Sequence, residues 1–238
     1  MLLTHTTLHK DLKAYASPAH ATALSRYFKT GPGEYGEGDV FMGVRVPDIR
    51  RVATRHKDVP LSDVAALLAS PIHEERMTAL VILTLRYTRG DEKEKKKIVG
   101  MYVAYTLYIN NWDLVDVSVH KIIGAWVWAH PNKKTLLMRW ARSRYIWERR
   151  MAIVATFYHI AHGELDLTCA IAETLLGDAY DLIQKAVGWA LREVGKKDEQ
   201  TLKAFIREHY ADMARTTLRY AIERFSAEER ARYLRGDW

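Results

Sequence analysis

From about residue 47 onward, apolar residues recur at three- and four-residue intervals, and long alternating runs are missing. That period belongs to helices that bury one face, not to half-buried strands. Helices are predicted over roughly 8–16, 18–29, 47–57, 61–70, 73–88, 92–107, 112–129, 133–142, 147–161, 166–176, 179–195, 198–209, 212–224 and 226–234. Ser17-Pro18, Pro47, Ser62-Asp63, Ser70-Pro71, His130-Pro131 and Ser226 supply starts, and Gly90 and Gly163 supply stops. The fold class is all-α.

Helices of this length joined by short turns, with a spacing of about forty residues, predict an α-solenoid of HEAT-like antiparallel pairs, about 12–14 helices in all. A compact helical bundle is the alternative, because identity between the pairs is poor. A single domain over residues 1–238 is expected. The physical appeal of the solenoid is a concave basic face that can follow a curved polyanion. One segment breaks the helical pattern. Thr30-Gly31-Pro32-Gly33-Glu34-Tyr35-Gly36-Glu37-Gly38-Asp39 is a mobile or tightly turned loop, either a plain connection or a place where backbone approaches phosphate.

Composition narrows the class. With 48% hydrophobic residues in 238, the chain can fill a continuous core, and its one cysteine, Cys169, excludes a disulfide framework and suits a small buried hydrophobe. No apolar run reaches membrane-spanning length and no secretory leader is evident, so a cytoplasmic location is expected. The ten histidines are scattered: His5 and His9 sit in an unremarkable amphipathic start, and His120, His130, His159 and His162 lack acidic or cysteine partners at metal-ligand spacing. No metal and no cofactor are predicted.

Net charge is +7, and residues 133–150 hold seven Lys or Arg (Lys133, Lys134, Arg139, Arg142, Arg144, Arg149, Arg150) against Glu148. Such clustering suits a polyanionic partner, although solvated helix faces look similar. Tryptophans are interleaved. Trp147 lies three residues before Arg150, and Trp189 lies within one turn of Lys185 and Arg192. Arg50 and Arg51 sit near the start of the helix that follows Pro47. In Asn110-Asn111-Trp112-Asp113-Leu114-Val115-Asp116, Trp112 and Asp116 share one helical face, and a π-face beside an anion can receive positive charge. Serving the helix dipole from an early turn suits Asp113 better than Asp116.

Four segments, Phe41-Met42-Gly43-Val44-Arg45-Val46-Pro47, Trp112-Asp113-Leu114-Val115-Asp116, Trp147-Glu148-Arg149-Arg150-Met151-Ala152 and Gln184 through Glu193, resemble in order the DNA alkylation repair family of HEAT-like-repeat alkylpurine DNA glycosylases. The resemblance implies a monofunctional glycosylase that excises cationic N3- or N7-alkylated purines from double-stranded DNA. It also implies that the base is released without a base-reading pocket. Matched motif by motif, its active centre falls on Trp112, Asp116, Arg150 and Trp189. Contacts to DNA are expected from Gly43, Arg50, Arg51, Trp147, Arg149, Lys185 and Arg192. A monomer associated with the nucleoid through DNA is expected, and the rival reading is a non-catalytic binder of bent or branched DNA. The glycine-rich loop is longer than in the best-known members of that family, which leaves its own DNA contacts open.

Overall fold

The computed structural model describes residues 2–238, with side chains from residue 7 onward, so the His5 side chain lies outside the described residues. Among these residues the chain is all-α, with one isolated bridge between Val40 and Ile72. Apart from the connection 28–45 between Pro18–Tyr27 and Val46–Arg55, helices follow one another through short turns, which is consistent with the solenoid reading. The chain divides into two compact units, Met1–Ile122 and Ile123–Trp238.

In the first unit the long helix His73–Arg89 is central and packs on Val46–Arg55, Leu61–Leu68, Glu92–Ala104 and Trp112–Val119. On these helices Leu80, Ile82, Leu83, Val52, Leu67, Leu68, Leu114 and Val115 are all without solvent exposure. Each such aliphatic side chain stabilises the fold by about 1.5–3 kcal/mol. The start of the central helix is unusual: His73, Glu74, Glu75 and Arg76 are all buried. Buried charge is tolerated only when paired, and each of the four has partners. Glu74 accepts the backbone amides of Met42, Gly43 and Val44 at 2.9, 2.7 and 3.1 Å. Glu75 takes His9 at 2.6 Å and the Ser70 hydroxyl. Arg76 donates to the Ser70 carbonyl at 2.9 Å and to Asp39.

In the second unit Asp181–Lys197 is central and packs on Ile146–Ala155, Asp166–Leu175, Glu199–His209 and Arg215–Ala221. Gly188 has a packing reason: a Cβ there would lie 2.4 Å from Tyr220 Cβ and 2.5 Å from the Thr217 carbonyl. Its helical cost of roughly 1 kcal/mol against alanine is the condition for that close approach.

Most expected boundaries hold to a few residues. Ser17 caps Pro18–Tyr27, Ser226 forms a capping box with Glu229, and Gly163 takes φ +82° after Phe157–Ala161. Two expected helices are interrupted. The span 112–129 is Trp112–Val119, a wider π turn His120–Gly124, and Ala125–Ala129. The span 147–161 bends at Thr156 between Ile146–Ala155 and Phe157–Ala161. The two irregularities meet: a Cβ on Gly124 would lie 2.2 Å from the Ala155 carbonyl, so the backbones touch where both helices deviate. The first helix begins earlier than expected, at Leu2, and ends at Lys13, while Cys169 is half-buried and not sealed in the core.

The glycine-rich segment is a tightly turned loop. Glu34 and Glu37 accept the amides of Gly31 and Gly33, both at 2.9 Å, and Gly33 and Gly38 take φ +76° and +80°. It ends on Asp39, whose carboxylate is buried.

Candidate functional site

The helix Trp112–Val119 is fixed at its start by buried Asn111. The Asn111 Oδ1 accepts the Trp112 amide at 2.8 Å, and its Nδ2 donates to Asp39 at 3.2 Å. Trp112 is half-buried. Its ring lies 5.3 Å from Phe28 and 6.0 Å, edge-on, from Tyr27, and its indole N–H donates to the Tyr35 hydroxyl of the glycine-rich loop at 3.3 Å. The next residue turns inward. Asp113 caps the Leu114 amide at 2.8 Å and takes His73 Nε2 at 2.8 Å.

His73 is therefore a bridge between two carboxylates, with Nδ1 on Asp39 at 2.8 Å and Nε2 on Asp113 at 2.8 Å. Burial lowers its pKa, but Asp113 and then Asp39 outweigh burial and raise it to about 9. For Asp39 the balance is similar: burial pushes its pKa up, and His73 and Arg76 together bring it below the usual carboxylate value. The bridge ties the end of the loop to the helix that carries Trp112 and Asp116. The folded pKa of His73 lies above the unfolded value of 6.5, so its contribution is complete below about pH 6.5 and is lost as pH rises to about 9. The expected loss is at most roughly 3 kcal/mol. Urea unfolding across that range should show the decline in wild type and a flatter profile in His73→Gln; equal slopes would remove the bridge from the stability of the protein.

Asp116 is half-buried and stands on the Trp112 face, four residues on. Nearby, Tyr102 hydrogen-bonds Ser118 at 2.9 Å, and because Ser118 donates to the Leu114 carbonyl at 2.7 Å, Tyr102 is the donor. Burial pushes the Tyr102 pKa up; Ser118 opposes this, and the Asp116 charge adds to it. His120 is kept neutral, its pKa lowered to about 4 by burial and further by Lys121, with a hydrogen bond to the Asp116 carbonyl opposing. Beside this helix lies a largely apolar hollow of about 290 Å³ lined by Tyr27, Phe28, Phe41, Val46 and Met77 among others, with His20, Arg45, His73, Glu74 and Asp113 as its polar lining.

The remaining expected residues of the first unit divide by role. Gly43 has φ +81°, and a Cβ there would lie 2.1 Å from the Ser17 carbonyl, which makes it a packing position. Arg50 is exposed. Arg51 pairs with Asp48 at 2.7 Å and lies 5.8 Å over the Tyr15 ring.

In the second unit, Trp147 and Arg150 are buried, and Arg150 Nη1 donates to the Leu182 carbonyl at 2.6 Å, in the first turn of the helix that carries Trp189. Trp189 is half-buried, 4.4 Å and edge-on from Phe157, at a hollow of about 380 Å³ that Lys196 and Lys197 also line. Arg149 is engaged by Asp178 at 2.5 Å and by the Ser143 and Arg144 carbonyls at 2.9 and 3.1 Å. Lys185 pairs with Asp181 at 2.6 Å, and Arg192 pairs with Glu223. Of the basic stretch, Lys134 is held by Glu164, while Lys133, Arg139, Arg142 and Arg144 are exposed. Asp39, His73 and Lys121 were not singled out from sequence. Their partners lie tens of residues away, and no local spacing marks them.

Among the described residues, no group of three or more His, Cys, Asp or Glu side chains is arranged to hold a metal ion, and no helix is long and apolar enough to cross a membrane.

The chain is thus all-α, built of paired helices, with an indole and a carboxylate on one helical face. A solved structure described as a predicted DNA alkylation repair enzyme from Enterococcus faecalis has this fold, with a TM-score of 0.70 and 20% identity over 89% of this chain and 97% of that one. The sequence profile of the DNA alkylation repair enzyme family matches residues 8–225, and the chain belongs to that family. Its role is thus in the repair of alkylated DNA, as an enzyme whose substrate is DNA. No curated protein matches the chain significantly.

Proposed function

We propose that the protein is a monofunctional DNA glycosylase that hydrolyses the N-glycosidic bond of cationic N3- or N7-alkylated purines in duplex DNA. One observation carries this reading: Asp116 stands half-buried on the helical face of Trp112, four residues on, so an indole and a carboxylate share one face.

An alkylated purine already bears positive charge, so it departs neutral when the electrons of the C1′–N bond pass to it. No general acid is required. Positive charge then develops on the sugar as an oxocarbenium ion, which the Asp116 carboxylate stabilises while it takes the proton of the attacking water. Trp112 and Trp189 would lie against sugar and backbone, each adding about 0.5–2 kcal/mol of cation–π attraction. Arg150 acts through Leu182 on the helix that bears Trp189, and is in that sense a positioning residue. A cytoplasmic, monomeric protein acting on the nucleoid fits this role.

Duplex DNA treated with a methylating agent tests the reading. Incubation should release 7-methylguanine or 3-methyladenine and leave abasic sites whose strands break only after alkali. Base release no faster than the spontaneous rate, or nicking without alkali, would exclude a monofunctional glycosylase.

A further inference from the structure

Within the first unit, a hollow of about 250 Å³ is lined by Arg50, Thr54, Val81, Thr84, Leu85, Val117 and Lys121. It holds two cations and no acid. Arg50 comes from the helix Val46–Arg55, and Lys121 comes from the π turn that directly follows the helix of Trp112 and Asp116. The acid nearest in sequence to Arg50, Asp48, is taken by Arg51 at 2.7 Å. The two hydroxyls of the hollow are spent on backbone: Thr54 donates to the Arg50 carbonyl at 2.8 Å and Thr84 to the Leu80 carbonyl at 2.9 Å. Burial lowers the Lys121 pKa, and the charge of Arg50 lowers it further. Like charges brought together beside apolar walls cost free energy unless an anion joins them. A π turn is itself an irregularity that often marks a functional position.

We propose that Arg50 and Lys121 grip one backbone phosphate of the DNA duplex, a phosphodiester site next to the helix that carries Asp116. The proposal rests on the DNA-repair reading and deepens it by naming a phosphate contact. Because Val117 lines the hollow and Asp116 precedes it, the bound phosphate belongs to a nucleotide close to the one being attacked. The contact fixes register and carries no sequence preference.

The test is equilibrium binding of a fluorescein-labelled undamaged duplex over a series of salt concentrations. Excision plays no part in it. Lys121→Gln and Arg50→Gln should each weaken binding roughly fivefold and each reduce the salt slope, together by about 0.9, the value for the one phosphate they share. Lys121→Arg, which keeps the charge, should retain the wild-type slope. Arg50 is exposed, so its variant reports even if Lys121→Gln does not fold. A second readout is direct: acylation of the Lys121 amine at mildly alkaline pH should slow when duplex is added. Wild-type slopes in folded Arg50→Gln, or acylation unaffected by duplex, would overturn the site. Equal protection by dilute inorganic phosphate would overturn its assignment to DNA backbone. If base release fails while these slopes change, the glycosylase reading falls and the phosphate site stands; the reverse pattern removes the site alone.

Discussion

Asp116→Asn should reduce excision of 7-methylguanine by at least two to three orders of magnitude while duplex affinity stays within about twofold. The substitution keeps the shape of the side chain and removes only the charge that the proposed mechanism sets against the developing cation. Folding should be retained, because the helix is anchored by Leu114, Val115 and Ser118, all fully buried, and by its Asn111 cap. Asp113→Asn is the informative contrast. It weakens the bridge to His73, and its first effect should be on stability. Base release measured beside duplex binding and thermal unfolding separates the cases. If Asp116→Asn excises like wild type, the carboxylate is not the catalyst. If neither protein excises yet both bind, the chain is a DNA binder of the non-catalytic kind.

Gly43→Ala should destabilise the first unit by at least about 3 kcal/mol. Two effects combine. At φ +81° an L side chain is strained by roughly 1–2 kcal/mol. In addition, the new Cβ would stand 2.1 Å from the Ser17 carbonyl and 2.6 Å from the Ala21 amide, both backbone atoms that cannot yield without moving the helix Pro18–Tyr27. The same segment is pinned from the other side, since the Gly43 amide donates to buried Glu74 at 2.7 Å and its carbonyl meets His20 Nδ1 at 2.9 Å. Chemical denaturation measures the loss. A change under about 0.5 kcal/mol would show that the segment can shift freely. Gly43, named by the family resemblance as a DNA contact, thus also has a sufficient reason inside the protein, as Gly188 does against Thr217 and Tyr220.

The helical content and most boundaries were legible because helix period, capping residues and glycine stops are local signals. Ser226 with Glu229 illustrates this: four consecutive residues contain the entire capping box. The π turn at His120–Gly124 and the bend at Thr156 were not legible, since both arise where two backbones touch at Gly124 and Ala155. The candidate site divides in the same way. Trp112 and Asp116 are readable as a pair because four residues of helix set their geometry. The bridge from Asp39 through His73 to Asp113 joins three segments separated by 34 and 40 residues, and no motif records it.

The order of residues therefore settled the period of the helices, the excess of positive charge, the face shared by Trp112 and Asp116, and a likeness to one repair family. Tertiary structure alone decided which charges are committed internally. Arg149 is engaged by Asp178, Arg192 by Glu223, and Asp113 by His73, while Arg50 and Lys121 share a hollow with no acid. The physical reason is distance: helix period follows from neighbours within one turn, but the fate of a charge depends on partners that only folding brings within a few ångströms.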